Sequence, residues 1–380
     1  MQRAQQKSGE AVETSKRIRL RHGAFVVEIL CPTPGDVEWL RENLRPAFDE
    51  DEDASPNVTL RCEIDAKSFA EMTGGAIDTL ASSASREDVP CFSMDGYVAA
   101  FPPLAGKAPG VFDTDLRLLY LYDDPTATLS VVGPHYRTSL RIALLRLVRE
   151  LAGGSFPRRS LLTVHASALA LGDQGVLICG PKRAGKTTLL THLLRRAGAR
   201  YIANDRSLLH VAPDTVGYVA GIPTVVSLRA DLWERLSLPA SPHVGNWRAR
   251  ETLANSGRET TTPQAGASLS PAQYLALLGV TPCAQARLRA ILFPEVNDEY
   301  DGIDIRPLDG SEAARRLLES SMPLHRTLFH DDVDEEAQRV DNARLCEQAT
   351  TAHRAWALTL GRGAYAAEAR LGDAVEKLLE

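Results

Sequence analysis

The sequence has 380 residues, of which 44% are hydrophobic and 24% charged, and its formal net charge at pH 7 is −6. This length is too great for one small core and predicts two domains. The acidic balance argues against a general nucleic-acid-binding protein, which is usually basic. The six cysteines form no C-x-x-C pair, which argues against a zinc site and is typical of reduced cytoplasmic thiols.

Membrane attachment is also not expected from the sequence. No uninterrupted apolar stretch is long enough to span a bilayer, and the polar N-terminus lacks the apolar segment of a signal peptide. We therefore expect a cytoplasmic protein with neither a membrane nor a nucleic acid as partner.

The first third of the chain predicts a small β-rich α+β domain. A disordered polar tail is expected over residues 1–22, followed by a recognition domain over residues 23–134. Asp36 should begin a helix over residues 36–48, and the acidic run 49–53 should form a solvated loop because like charges repel. Alternating or clustered apolar residues predict strands at 24–30, 58–65, 96–101, 117–122 and 126–132.

A long amphipathic run separates the two predicted domains. Leucine and isoleucine recur at helical spacing over residues 136–152, with arginines on the opposite face, and Gly153 and Gly154 should end the helix. This pattern predicts a connecting helix over residues 135–154.

The remaining residues, 155–380, predict a nucleotide-binding domain that ends in helices. Strand-like runs flank a predicted helix that ends at Gly198, which is typical of a parallel α/β unit. Residues 239–270 are rich in Pro, Gly, Ser and Thr and should form a surface loop. A buried strand is expected near residues 288–296, and mostly helix from Gly310 onward.

The segment GPKRAGKT matches G-x-x-x-x-G-K-[ST], the Walker A phosphate loop. Its glycines let successive N–H groups turn toward phosphate oxygens, and the following helix directs its positive end to the same place. Lys186 should reach the β- and γ-phosphates, and the Thr187 hydroxyl should bind Mg²⁺. The alternative is a glycine-bounded turn without a ligand. The predicted ATP-binding residues are Gly180, Pro181, Lys182, Arg183, Ala184, Gly185, Lys186, Thr187 and Thr188.

Asp205 follows the next predicted strand, and the carboxyl ends of parallel strands gather where ligands bind. An aspartate at that edge can hold Mg²⁺, as a Walker B aspartate does. A turn cap is the alternative, since Asn-Asp pairs favour turns.

Other candidates have weaker signals. His165 lies on an apolar strand, where a histidine is more often a core residue. The acidic segment 330–336 is better explained as a solvated helix start than as a cation site. Single arginines near predicted strand ends are usually surface charges, although one could contact phosphate; they are Arg229, Arg287 and Arg289. Arg206 is a better candidate because it adjoins Asp205.

The order of His165, GVLICGPKRAGKTTLL, ARYIANDRSLLH, GIPTVVSLR and RLRAILFPEV resembles the HPr kinase/phosphorylase-like family. The resemblance covers roughly residues 155–310 and implies a phosphate-loop core with a mixed sheet, related to that of phosphoenolpyruvate carboxykinases. In that family the second strand ends in two aspartates, a base and a Mg²⁺ ligand. Here Asn204 occupies the first position and Asp205 the second, and the family's histidine near the phosphates matches His165.

The resemblance implies a kinase that uses ATP and Mg²⁺, with Lys186, Asp205, His165 and Asn204 as catalytic residues and Thr187 and Asp205 as metal ligands. The acceptor would be a hydroxyl of a peptide, protein or small molecule, and self-association stays open. HPr itself is not expected as the acceptor because the family's Arg-Gly-rich stretch is not visible here. An ATP-binding or ATP-hydrolysing accessory protein is the alternative, and a carboxykinase-type enzyme ranks last.

Overall fold

The fold is known from a computed structural model. It describes residues 16–45, 47–73, 98–101, 110–113, 116–136, 138–154, 160–212, 215–222, 224–229, 232, 267–322, 335–365 and 368–380. These residues form an α/β structure with mixed β-sheets, as the sequence predicts at the level of fold class. Within these ranges, no helix is long and apolar enough to cross a membrane.

The elements are numbered in chain order. The helices are α1 (Pro34–Leu44), α2 (Ala66–Thr73), α3 (Thr138–Gly154), α4 (Lys186–Leu194), α5 (Pro271–Leu278), α6 (Gly310–Glu319), α7 (Glu335–Ala352) and α8 (Glu368–Leu379). The strands of the first part are β1 (Arg17–His22), β2 (Phe25–Leu30), β3 (Asp49–Glu50), β4 (Val58–Ile64), β5 (Val98–Phe101), β6 (Gly110–Asp113), β7 (Leu118–Asp123) and β8 (Thr128–Gly133).

The strands of the second part are β9 (Leu161–Val164), β10 (Ala166–Leu171), β11 (Gln174–Cys179), β12 (Ala199–Ala203), β13 (Arg206–Ala212), β14 (Thr215–Ile222), β15 (Val226–Leu228), β16 (Ala267–Leu269), β17 (Thr281–Pro282), β18 (Gln285–Asp301), β19 (Ile303–Pro307) and β20 (Arg354–Arg362).

The first sheet has the strand order β3-β1-β2-β4-β8-β7-β6-β5, in which β2, β4 and β8 run parallel. The prediction of a disordered tail up to residue 22 was wrong at its end, because residues 17–22 form β1 with Ile18 and Leu20 fully buried. The predicted connecting helix α3 packs Leu144, Leu147 and Val148 into the core of this sheet. Helix α3 therefore packs on the first sheet and is part of its hydrophobic core, rather than a connection between two domains.

The sequence predicts that Asp36 begins the first helix, but α1 begins at Pro34 after the N-cap Thr33, and Asp36 lies in its first turn. Its buried carboxylate accepts hydrogen bonds from the Thr33 hydroxyl (2.7 Å), the Tyr136 hydroxyl (2.6 Å) and Arg141 Nε (2.7 Å). Burial opposes ionisation, but these donors outweigh it and lower the pKa of Asp36. The carboxylate thus joins α1 to the start of α3.

The acidic run 49–53 was predicted to be a solvated loop, and that prediction was wrong for part of it. Asp49 and Glu50 form the short strand β3, and arginines from neighbouring elements pair with the acidic side chains. Glu50 lies 3.0 Å from Arg41, and Asp51 lies 2.6 Å from Arg21. The pairing removes the repulsion on which the loop prediction depended.

The second sheet has the order β17-β12-β10-β11-β18-β14-β13-β9, and β20 pairs with β18 and β19. Strands β11, β18 and β20 run parallel, whereas β10 is antiparallel to both β11 and β12. The β11–α4–β12 unit is therefore parallel, as predicted, but β10 lies between its strands. The predicted helical tail also contains β20, a buried strand that the sequence analysis missed.

The second sheet curls strongly. A β-carbon at Gly221 in β14 would lie only 2.1 Å from the carbonyl oxygen of Ile202 in β12, although these strands are not neighbours in the sheet. Only glycine permits this approach. Most of the predicted surface loop 239–270 lies outside the described residues, and its end forms β16 and Ser270, the N-cap of α5.

Candidate functional site

The loop between β11 and α4 turns through backbone conformations that favour glycine. Gly180 has φ 142° and Gly185 has φ 95°, and Gly185 is the N-cap of α4. Arg183 also has a positive φ, 73°, which is uncommon for a residue with a β-carbon and is typical of strained loops. The two motif glycines, Gly180 and Gly185, therefore occupy positions with positive φ, as the motif predicts.

The other loop residues differ in exposure. Pro181, Lys182 and Arg183 are exposed at the tip, whereas Ala184 is buried and its N–H donates to the Pro181 carbonyl (3.2 Å). Thr187 and Thr188 lie partly exposed in the first turn of α4. The tip and the first helical turn are thus open to a ligand.

Lys186 is the most buried charged group of the loop, at 8% exposure. Its Nζ donates to the carbonyl oxygens of Gly180 (2.7 Å) and Pro181 (3.1 Å). Burial lowers the pKa of Lys186, and the negative charge of Asp205 opposes that shift. An ammonium has three N–H donors, so two bonds to the loop leave one donor for a ligand oxygen.

Strand register brings the second part of the site to the same edge of the sheet. Ala166 lies opposite Cys179, the last residue before the loop, and Ala168 lies opposite Ala203, the last residue of β12. The segment that begins β10 and the turn after β12 therefore both lie beside the start of the loop.

Two buried serines hold the turn formed by Asn204 and Asp205. The Ser167 hydroxyl donates to the Asn204 carbonyl, and the Ser207 hydroxyl donates to the Ala166 carbonyl (3.0 Å). The Asn204 side chain is 6% exposed, and its Oδ1 has no hydrogen-bond partner within the part of the chain that the structure describes. A buried acceptor without a partner is costly, so the fold holds the Asn204 amide at this position against an energetic penalty.

His165 and Asp205 face each other at this edge. His165 Nδ1 lies 3.4 Å from Asp205 Oδ1, and their side chains are 36% and 44% exposed. The sequence predicts His165 within a strand, but it lies between β9 and β10. Its backbone N–H donates to the Ser320 carbonyl (2.7 Å). Burial lowers the pKa of His165, the charges of Lys186 and Arg206 act the same way, and Asp205 opposes them.

Helix α3 contributes a residue that the sequence analysis missed. Arg206, next to Asp205, pairs with Glu150 of α3 at 2.7 Å. The neighbouring Arg149 has a buried Nε without a hydrogen-bond partner among the described residues. Burial lowers the pKa of Arg149 to about 9, with Arg206 acting the same way and Glu150 and Asp205 opposing. The position of Arg149 on the arginine face of a predicted helix was the signal available in the sequence.

The remaining candidates divide between structural roles and positions that the structure does not describe. Arg289 donates to the carbonyl oxygens of Leu379 and Glu380, and Arg287 lies opposite Gln174, at the end of β11 away from the loop. Neither therefore acts on the phosphate loop. Arg229 is exposed after β15, and residues 330–334 lie outside the described residues.

The donor set fits magnesium without a protein-only metal cage. Within the described residues, no group of three or more His, Cys, Asp or Glu side chains could hold a metal ion. Magnesium usually keeps several waters and is bound by one or two protein oxygens together with substrate phosphates. The Thr187 hydroxyl and the Asp205 carboxylate are oxygen donors of that kind.

Comparisons with known proteins give no relative from which to transfer a function. No family model matches the sequence, and no curated protein is significantly similar to it. The functional assignment therefore depends on the residues and their geometry.

Proposed function

We propose that this protein is an ATP-dependent phosphotransferase that acts on a hydroxyl group of a peptide, protein or small molecule. The observation that carries the proposal is the buried Lys186 ammonium, held on the loop carbonyls at the sheet edge where Asp205 and His165 meet. An apolar side chain would occupy this position at less cost if the loop were only a turn. The resemblance to HPr kinase-like enzymes supports the same core and the same chemistry.

Each loop residue has a defined task in this proposal. The backbone N–H groups of the loop and the Lys186 ammonium bind the β- and γ-phosphates, and the N-terminus of α4 favours their negative charge. Thr187 and Asp205 hold Mg²⁺, which when bound neutralises the charge that develops on the phosphoryl oxygens. His165 donates to a phosphate oxygen or orients Asp205.

Helix α3 adds charged groups near Asp205. Glu150 of α3 pairs with Arg206, and Arg149 of α3 lies within electrostatic range of Arg206 and Asp205. Phosphoryl transfer depends mainly on positioning and charge stabilisation. An amide at position 204 in place of a base is therefore compatible with the reaction.

One observation favours a second candidate, an ATP-binding or ATP-hydrolysing accessory protein. Asn204 cannot accept a proton as an aspartate does, and its side-chain oxygen lacks a partner within the described residues. A site that orders water rather than a substrate hydroxyl would use the amide as a donor and acceptor.

Labelled ATP distinguishes the two candidates. The protein is incubated with γ-phosphate-labelled ATP, Mg²⁺ and candidate hydroxyl acceptors, and Lys186→Ala serves as the background control. Label on an acceptor supports the phosphotransferase, whereas label recovered only as free phosphate supports the accessory ATPase. If neither product exceeds the Lys186→Ala background and ATP does not bind, both functions are wrong.

Asn204→Asp is expected to increase the ratio of phosphoryl transfer to hydrolysis. The change restores the carboxylate that the resembling family places at this position, and a carboxylate accepts the acceptor's proton. An increase of about tenfold or more would be in line with general-base catalysis. The two labelled products of the same reaction are quantified in parallel. A ratio equal to that of the wild type in a folded variant would show that residue 204 has a structural role only.

His165→Gln is expected to lower turnover by about tenfold or more while the melting temperature changes little, because glutamine keeps a donor of similar size. His165→Ala should lower turnover as well and should also lose stability to the cavity it leaves. Melting temperature and turnover per folded molecule are measured for both variants. Normal turnover with reduced stability in His165→Gln would identify His165 as a core residue.

A further inference from the structure

A cavity of about 400 Å³ lies directly beside the phosphate loop. Its walls come from α4, the outer part of β18, the end of β20 with the turn that follows, and Leu232. A β-carbon at Gly185 would lie 3.1 Å from Val296 Cγ2 and 3.5 Å from the Tyr365 hydroxyl oxygen. The cavity walls therefore contact the loop that the proposed function assigns to phosphates.

The lining combines a flat apolar wall with a few polar groups. Tyr365 stacks on His192 with ring centroids 4.4 Å apart and planes 16° from parallel. Val296 and Leu360 add aliphatic surface. Besides the Tyr365–His192 pair, the residues with polar side chains that line the cavity are Thr188, Asp298 and Arg362. Apolar walls with a small number of convergent polar groups, at this volume, are typical of small-molecule sites.

We infer that this cavity binds the base and ribose of the nucleotide whose phosphates occupy the loop, and that it selects a purine nucleoside triphosphate over a bare polyphosphate. The inference rests on the proposed function. Thr188 directly follows Thr187, so it lies on the path from the phosphates to the cavity. An aromatic and aliphatic wall binds the face of a base, and Asp298 accepts hydrogen bonds from ribose hydroxyls or an exocyclic amine. The volume accommodates a purine with its ribose.

The test compares binding of Mg²⁺-ATP, Mg²⁺-CTP and Mg²⁺-tripolyphosphate by calorimetry. Val296 is 44% exposed, so Val296→Trp fills the cavity from its rim without opening the core. Val340→Trp on α7 is the matched control, since Val340 is 61% exposed. Val296→Trp should lower the preference for ATP over tripolyphosphate about tenfold or more, the size of one lost base-stacking contact, because Val296 also contacts the phosphate loop and both affinities can change. Val340→Trp should change neither.

The outcomes separate this inference from the proposed function. Asp298→Ala, a change at an exposed position, should also reduce the preference for ATP over tripolyphosphate. If the wild type binds tripolyphosphate as tightly as ATP, or binds CTP as tightly as ATP, the purine site is wrong while the phosphate loop stands. Equal losses of ATP and tripolyphosphate in Val296→Trp, or no loss, overturn it too. If the wild type binds none of the three ligands, the proposed function itself fails.

Discussion

Lys186→Ala is expected to lower ATP-dependent turnover by about a hundredfold or more, the typical cost of removing one donor that stabilises transition-state charge. The ammonium is the buried cation nearest the loop carbonyls, and alanine leaves the β- and γ-phosphates without it. Turnover is measured with saturating ATP and Mg²⁺, and ATP binding is measured separately by calorimetry.

Burial makes the choice of control important for this experiment. Lys186 is only 8% exposed, so alanine also removes the packing of its aliphatic stem. Lys186→Met keeps that stem and removes only the charge. Both variants should lose turnover, and Lys186→Met should retain more of the free energy of unfolding. Wild-type ATP binding and turnover in a folded Lys186→Met protein would refute the phosphate-loop assignment.

Asp205→Asn is expected to lower turnover by about a hundredfold and to raise the Mg²⁺ concentration that gives half-maximal activity. The substitution keeps the size of the side chain but removes the negative charge that faces His165 at 3.4 Å. Activity is titrated with Mg²⁺ at fixed ATP for the variant and the wild type.

The matched control for this change is Asp173→Asn. Asp173 is a fully exposed aspartate in the turn between β10 and β11, at the opposite end of the strand that leads to the loop. It should leave the magnesium titration unchanged. A wild-type titration in Asp205→Asn would show that Asp205 only caps the turn.

The sequence predicted the local features of the site well. The loop motif predicts the backbone geometry of the loop, because Gly180 and Gly185 have positive φ values that other residues avoid. The apolar runs of β10 and β11 also appear where the patterns indicate them, and a helix follows the loop, although α4 ends at Leu194 instead of continuing to Gly198 and is buried over most of its length. These features depend on residues close together in the chain, which a pattern can show.

Features that depend on distant residues could not be predicted. Arg149 was only one of several arginines on a predicted helix, and the packing of α3 brings it within electrostatic range of Arg206. The cavity walls at Val296 and Tyr365 come from segments far from the loop. Residues 17–22 were assigned to a tail because their arginines hid the alternating burial of β1. Tertiary pairing decides each of these positions, and no local pattern encodes it.

The pairing of β11 with β18, and of β18 with β20, has a consequence for how the protein is made. The phosphate loop leaves the ribosome long before the strands that flank it. Until synthesis has passed Asp301, β11 lacks its parallel neighbour β18, and β18 in turn lacks β20 until synthesis has passed Arg362, so the apolar residues of these strands stay unprotected. Contacts so distant in sequence close slowly, and exposed strand edges associate with other chains. Nascent chains are therefore expected to depend on chaperones until the last strand of this sheet has emerged.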